Sequence, residues 1–113
     1  MIRKERKEIK KNLKGGPGEL TFYHILETEE LYGHGTMYAR VVMPPKAGIG
    51  VHTHVHNTEP YYILSGHGDF TDADGTVHKV GPGDCCIIEP GQSHGLSNPY
   101  DEDLVFMALI YNE

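Results

Sequence analysis

Short stretches of alternating hydrophobic and polar residues run along most of this chain, separated by glycine, proline and acidic turns. Alternation with a period of two is typical of half-buried β-strands. We predict strands over residues 19–27, 36–43, the segment that contains positions 52 and 54, 60–65, 68–71, 76–80, 85–89, 94–98 and 104–111. Strands this short at such regular spacing, with no convincing helix after Gly15, indicate an all-β sandwich or barrel.

The last predicted strand is apolar on both faces. Val105, Met107 and Leu109 lie on one face, and Leu104 begins the other, which continues at 106, 108 and 110. One face can fill the inside of a barrel, but the other needs a cover because a bare apolar strand promotes aggregation. We therefore predict a homodimer.

The first residues differ from the rest in charge. Residues 1–14 hold seven Lys/Arg and two Glu, a net charge of +5, whereas the remainder holds three Lys/Arg and fourteen acids, a net charge of −11. Arg3 to Leu13 contains strong helix formers and Gly15-Gly16-Pro17-Gly18 ends any helix. We expect a short helical or extended arm over residues 1–18, as a solvated helix or docked on acidic surface of its own or a neighbouring subunit, and a barrel domain over 19–113.

Composition limits the class of protein. With 113 residues and 38% hydrophobic residues, the chain forms one globular domain. No apolar run reaches the roughly 20 residues of a membrane span, and no secretory signal is visible, so we expect a cytoplasmic protein. Two adjacent cysteines, Cys85 and Cys86, give no disulfide framework. The acidity of the barrel argues against nucleic acid as its partner.

One constellation carries metal chemistry. His52 and His54 are two residues apart, so they share a face of a strand. A tight turn after His54 brings the carboxylate of Glu59 alongside, and His94 can supply a fourth ligand from a later strand. Three imidazoles and a carboxylate suit a divalent transition metal, and Mn, Fe, Co, Ni, Cu or Zn are all compatible. A six-coordinate ion would keep two positions for water or a bidentate substrate.

The same residues carry a family resemblance. The two segments that carry it are Gly50-Val51-His52-Thr53-His54…Glu59…Gly66 and Gly83…Pro90-Gly91-Gln92-Ser93-His94…Asn98. Together they resemble the two motifs of the cupin superfamily, over about residues 36–112. The resemblance implies a double-stranded β-helix (jelly-roll) barrel with His52, His54, Glu59 and His94 as metal ligands. The chain departs from the motifs at Lys46, where the family has Gly, and at Glu89, where it has Pro.

Several neighbours of this centre have two interpretations each. His56 has the strand parity of His52 and His54, which makes it a rival ligand, but we rank it as a rim residue or proton shuttle. Tyr61 shares parity with Glu59 and is either a hydrogen-bond donor or general acid, or a packing residue. Arg40 is an outer-face charge or an anion clamp in the pocket. Glu89 is a second carboxylate near the site or, as we prefer, a solvated strand end.

Cysteine packing is predicted from strand parity. Cys85 and Cys86 point to opposite faces, so one lies inside, where we interpret it as a small hydrophobic residue.

Two classes of function follow from these patterns. The first is a metal-dependent enzyme that binds a small oxygen-donor ligand, with Glu59, Tyr61 and His56 as candidate catalytic residues. Its small single-domain form resembles the oxalate-decarboxylase-like branch of the cupins, which does not fix a reaction among decarboxylase, dioxygenase and isomerase types. The alternative is a module that binds a metal and a metabolite without chemistry. A barrel whose histidines bind nothing is the weaker third interpretation.

Overall fold

The computed structural model describes all 113 residues and is nearly all-β. Its strands, in chain order, are β1 (Arg6–Lys11), β2 (Glu19–Leu26), β3 (Gly35–Met43), β4 (Gly48–Thr53), β5 (Asn57–Thr58), β6 (Tyr61–Ser65), β7 (Gly68–Thr71), β8 (Val77–Val80), β9 (Cys85–Cys86), β10 (Ser93–Ser97) and β11 (Leu104–Asn112). Two short 3₁₀ helices span Leu13–Gly15 and Thr28–Leu31. The predicted all-β barrel is confirmed. Neither 3₁₀ helix approaches the length and hydrophobicity of a membrane-spanning helix.

The strands form two antiparallel sheets. The larger has the order β1-β2-β3-β11-β6-β9, with β5 also paired to β11, and the smaller has the order β4-β10-β7-β8. Consecutive strands such as β3 and β4 belong to different sheets, so the chain crosses repeatedly between the two layers. The core lies between the inner faces of both sheets, which is the packing expected of a jelly-roll barrel.

Strand β11 lies between β3 and β6 in the larger sheet. Its inward side chains Leu104, Phe106 and Ala108 are at most 1% exposed, whereas Val105, Met107 and Leu109 are only half-buried on the outer face. One apolar face of this strand therefore fills the barrel, as its sequence predicts. The outer face remains partly in contact with solvent.

The helix proposed for the first residues is wrong, and the extended alternative is confirmed. Residues Arg6–Lys11 form β1, which pairs with β2 along its whole length. Backbone pairing with an existing sheet edge outweighs intrinsic helix propensity, which is a weak preference. The basic side chains lie on acidic surface of the same chain, with Arg3 paired to Glu30 and Arg6 Nε 2.7 Å from Glu27 Oε1. The domain boundary after residue 18 stays a prediction.

Three alternatives left open by the sequence can now be placed. Arg40 lies on the outer face, with its guanidinium 2.8 Å from Glu5 Oε1 and stacked 4.2 Å from the ring centroid of Tyr23. Glu89 is exposed beside a turn. Cys86 is buried and Cys85 is exposed, as strand parity predicts, and burial raises the pKa of the Cys86 thiol to about 12.

Candidate metal centre

Both sheets contribute to a cluster of three imidazoles and one carboxylate inside the barrel. His52 lies on β4 directly opposite His94 on β10, and His54 follows one residue after β4 ends. Glu59 comes from the larger sheet, in the two-residue link between β5 and β6. The structure therefore brings together all four residues that the sequence predicts as metal ligands, although they span 43 positions of the chain.

The donor atoms face one another at short range. The Nε2 atom of His54 is 3.1 Å from that of His52 and 3.2 Å from that of His94. Oε1 of Glu59 lies 3.7, 3.2 and 3.4 Å from the Nε2 atoms of His52, His54 and His94, respectively. Ligands about 2.1 Å from a shared octahedral ion sit about 3.0 Å from their neighbours. The observed spacing between donor atoms is close to that expected of a preorganised coordination sphere.

Hydrogen bonds on the far side of two rings fix which nitrogen faces the cluster. Nδ1 of His52 lies 2.8 Å from the carbonyl oxygen of Gly50, and Nδ1 of His54 lies 2.8 Å from Oδ1 of Asn57. Both partners are acceptors, so each Nδ1 carries the proton and donates it. Each Nε2 then presents a lone pair to the cluster, which is the arrangement that metal-binding histidines usually have.

Lone pairs held this close repel each other unless a positive charge lies between them. Two unprotonated Nε2 atoms 3.1 Å apart, with a carboxylate oxygen beside them, have no hydrogen to share in that tautomer. A divalent cation satisfies all of these acceptors at once, and N and O donors suit the borderline metals of the first transition row. The residues present therefore fit such an ion.

Burial and the imidazoles shift the titration of the cluster. Burial alone would raise the pKa of Glu59, but its contacts with the three imidazoles, which act as hydrogen-bond donors when they are protonated in the metal-free cluster, outweigh burial and hold that pKa well below its usual range. The hydrogen bond to Glu59 raises the pKa of His54. Burial lowers the pKa of His94, whose Nδ1 atom has no hydrogen-bond partner. Glu59 is thus a carboxylate at any ordinary pH, as a metal ligand must be.

Tyr61 is a direct neighbour of the cluster. Its side chain is 1% exposed, and its hydroxyl donates to Glu59 Oε1 at 3.1 Å and lies 3.3 Å from Nε2 of His94. Burial, followed by the charge of Glu59, raises the pKa of Tyr61 well above its ordinary value. The phenol therefore stays protonated and serves as a hydrogen-bond donor to the ligand set. Whether it also acts as a general acid stays a prediction.

His56 does not join the cluster. Its backbone has a φ of +62°, a left-handed conformation that turns the chain just after His54 and breaks the strand parity. The side chain is 89% exposed, with Nδ1 3.6 Å from Glu113 Oε1 at the chain end. The structure gives this residue no contact with the other site residues, and its role as rim residue or shuttle stays a prediction.

A cavity of about 350 Å³ leads to the cluster from between the sheets. Its lining mixes apolar side chains of the core with His52, His54, Glu59 and Tyr61. Sequence reasoning missed three contributors to this region, namely Asn57, Lys10 and Lys14. The sequence indicated a role for Asn57 only through its position three residues after the predicted ligand His54. Nothing in the sequence indicated that the two lysines line the cavity.

Comparison with known proteins agrees with this geometry. Residues 39–110 match the family model described as Cupin domain. The chain is 37% identical, over 99 residues, to an oxalate-binding protein of Thermotoga maritima, a match that covers 88% of this chain and 81% of the relative.

Solved structures show the same likeness. A crystal structure described as a predicted oxalate decarboxylase from Thermotoga maritima superposes with a TM-score of 0.93 and 34% identity, covering 100% of this chain and 99% of the other. A polyketide cyclase from Streptomyces resistomycificus has a TM-score of 0.77 at 20% identity, covering 100% of this chain and 81% of that one, and shows the shared fold alone. This chain belongs to the cupin family.

Proposed function

We propose that this protein binds one divalent transition metal through His52, His54, Glu59 and His94 and uses the ion to bind oxalate or a similarly small carboxylate. The single observation that carries the proposal is the set of three Nε2 atoms and one carboxylate oxygen, which all lie within 4.8 Å of one another at the end of the cavity. The similarity to an oxalate-binding protein supports the choice of ligand.

The protein's own groups prepare this centre for an anionic ligand. Gly50 and Asn57 hold the rings of His52 and His54 in the orientation that directs Nε2 inward. Tyr61 donates to Glu59 and limits the movement of that carboxylate. When bound, the metal supplies a Lewis acid that polarises a coordinated oxygen. Four protein ligands would leave two positions of a six-coordinate ion for two oxygens of a carboxylate ligand.

An enzyme of decarboxylase, dioxygenase or isomerase type is the catalytic form of this proposal. A non-catalytic binding module is the second candidate, and one observation favours it. The cavity lining contains no carboxylate or imidazole other than the proposed ligands, and the pKa of Tyr61 is raised too far for it to act as a base near neutrality. An enzyme with this cavity would therefore need the metal, the Tyr61 proton or the bound carboxylate to supply its acid–base chemistry.

Calorimetric titration of oxalate into metal-loaded protein and into chelator-treated protein tests binding. We expect saturable binding only with metal, and its loss in Glu59→Ala. The same samples, incubated with oxalate and a panel of small carboxylates and diketones with and without oxygen, test turnover. Product formed by wild type but not by Glu59→Ala supports the enzyme, and binding without product supports the module. An absence of any metal-dependent carboxylate binding would contradict the proposal.

We also propose that a second copy of the chain covers the outer face of the larger sheet. Tyr62 and Met107 are cross-strand neighbours there, and Tyr62 and Leu64 are 46% and 40% exposed. A stable dimer buries about 800 Å² on each partner, which a face several strands wide can supply. Sedimentation should give a dimer, and Met107→Glu should shift it towards monomer. A monomeric wild type at tens of micromolar would refute this proposal.

A further inference from the structure

Two lysines of the basic N-terminal segment line the same cavity as the proposed metal ligands. Lys10 lies near the end of β1, half-buried, with Nζ 4.5 Å from the ring centroid of Phe22, another lining residue. Lys14 lies in the following turn. Neither ammonium group forms an ion pair within the chain, whereas Lys11 between them has Nζ 3.4 Å from Glu19 Oε1. Two cations without an ion-pair partner, one half-buried and one exposed, therefore line the cavity of a protein whose net charge is −6.

The backbone that presents Lys14 is unusual. Asn12 and Lys14 have φ values of +49° and +53°, in the left-handed region that few residues other than glycine adopt. Such conformations persist where surrounding structure imposes them, and they are often found at functional sites. Here the imposing structure is β4, because the turn packs against Gly50 so closely that an added Cβ at Gly50 would clash with the Lys14 carbonyl oxygen.

The same contact joins the turn to the metal centre. Gly50 is the residue whose carbonyl accepts the hydrogen bond from His52 Nδ1. On the other side of the turn, the backbone N–H of Gly48 donates to the carbonyl of Pro17 at 3.0 Å. The backbone of Lys14 is thus held against the strand that carries His52 and leads directly into His54.

The charges in the cavity favour an anion with more than one negative charge. Glu59 is the only acidic residue of the lining, and Lys10 and Lys14 already exceed its charge. A divalent ion at the centre would raise the local charge to about +3 within low-dielectric walls, which concentrate the field on a ligand. A monocarboxylate would leave about +2 of this charge, whereas a dicarboxylate would leave about +1.

We propose that Lys10 and Lys14 form the anion-recognition wall of the cavity and select small dicarboxylates over monocarboxylates. The inference rests on the proposed function and names its specificity-determining residues. The carboxylate oxygens of the ligand that are not held at the histidine and glutamate centre would accept hydrogen bonds from the two ammonium groups. The N-terminal segment, which the sequence predicts to be a basic arm outside the barrel domain, is then part of the binding site.

Titration of full-length, manganese-loaded protein with oxalate and with glyoxylate tests this inference. The two ligands are similar in size, but glyoxylate has one carboxylate. The variants are Lys10→Gln and Lys14→Asn. Asparagine is chosen at position 14 because it tolerates the left-handed backbone while the ammonium group and most of its stem are removed. Lys11→Gln is the matched control, because Lys11 is a neighbouring lysine that does not line the cavity. We expect oxalate affinity to fall about tenfold in each test variant, glyoxylate affinity to fall by less, and the control to match wild type.

The ratio of oxalate to glyoxylate affinity separates recognition from a structural role. A purely structural effect of the lysines would weaken both ligands equally and leave the ratio unchanged, which would overturn the inference. A wild-type ratio in Lys10→Arg, which keeps the positive charge that Lys10→Gln removes, would support the inference. If wild type binds oxalate and the test variants match Lys11→Gln, this inference fails while the proposed function stands. If metal-loaded wild type binds neither ligand, the proposed function fails and takes this inference with it.

Discussion

The phenol ring of Tyr61 lies parallel to the imidazole of His94, with ring centroids 4.7 Å apart and an interplanar angle of 8°. Phe70 and Phe106 pack edge-on against this pair. The stack fixes the plane of the His94 ring, because the Nδ1 atom of His94 has no hydrogen-bond partner that could do so. Aromatic packing thus replaces, for His94, the polar partner that orients each of the other two histidines.

Substitution of Tyr61 by Phe should separate packing from hydrogen bonding at this position. The ring and its stack on His94 remain, while the hydroxyl that donates to Glu59 is lost. We expect stability to change by about 1 kcal/mol or less and metal affinity to fall about tenfold. Thermal unfolding and competition with a fluorescent chelator measure the two quantities. Tyr62→Phe, on the exposed face of the same strand, is the control, and equal metal affinity in both variants would show that the hydroxyl does not act on the centre.

Asn57 should matter for metal binding although it is not itself a proposed metal ligand. Its Oδ1 accepts the hydrogen bond that holds the His54 proton on Nδ1. In Asn57→Ala the imidazole can take the other tautomer or rotate, so we expect metal affinity to fall between about tenfold and a hundredfold. His56→Ala removes an exposed imidazole one residue away and should leave the affinity unchanged. The reverse order of the two effects would mean that the His54 orientation is set elsewhere.

The four-residue centre could be predicted because its ligands lie in two short motifs with recognisable spacing. His52 and His54 share a strand face, and Glu59 and His94 lie at spacings that a turn and a later strand can bring together. Strand parity fails as a guide at His56, because the left-handed turn at that residue ends the alternation of side chains between the two faces. No pattern of apolar residues indicates such a turn at a histidine.

The contribution of the N-terminal segment could not be read in the same way. Residues 3–13 have good helix propensity, and only the pairing of β1 with β2, over separations of up to eighteen residues, makes them a strand. Lys10 and Lys14 reach the cavity solely as a consequence of that pairing and of the turn against Gly50. Contacts made by tertiary packing override local preference here.

Gly50→Ala should disturb the turn and the metal centre together. The added Cβ meets the backbone of Lys14, which cannot rotate away as a side chain would. We expect a loss of about 2–3 kcal/mol in the free energy of unfolding and weaker metal binding, since Gly50 also orients His52. Gly75→Ala serves as the comparison, because it adds a Cβ into open space and only strains a turn with a φ of +84°. Denaturant unfolding should show the larger loss of stability in Gly50→Ala. Competition with a fluorescent chelator should show a change in metal affinity in Gly50→Ala only.

Acid should loosen β1 before the rest of the sheet. The hydrogen bond with His24 lowers the pKa of Glu8, and the hydrogen bond with Arg6 lowers the pKa of Glu27, both from an ordinary value of 4.5. Because the folded-state values are the lower ones, these carboxylates contribute stability that is complete above about pH 4.5 and is lost as pH falls through the folded pKa values.

Hydrogen exchange, corrected for its intrinsic pH dependence, checks this prediction. The β1 amides should keep their protection from about pH 6 down to about pH 4.5 and lose it as the pH falls further, relative to those of β3. A Glu8→Gln, Glu27→Gln double variant should already show reduced protection at the higher pH and change little on acidification. Equal losses in β1 and β3 would mean that these two carboxylates do not hold the strand.

The metal content of protein purified without chelator is the most direct test of the account. Elemental analysis of wild type, His52→Ala, His94→Ala and His56→Ala, each after dialysis, measures the ions held per chain, and anomalous scattering from crystals locates them. We predict one transition-metal ion per chain in wild type and in His56→Ala, positioned among His52, His54, Glu59 and His94, and its loss in the other two variants. Full metal content in His94→Ala, or an ion located away from these four side chains, would contradict it.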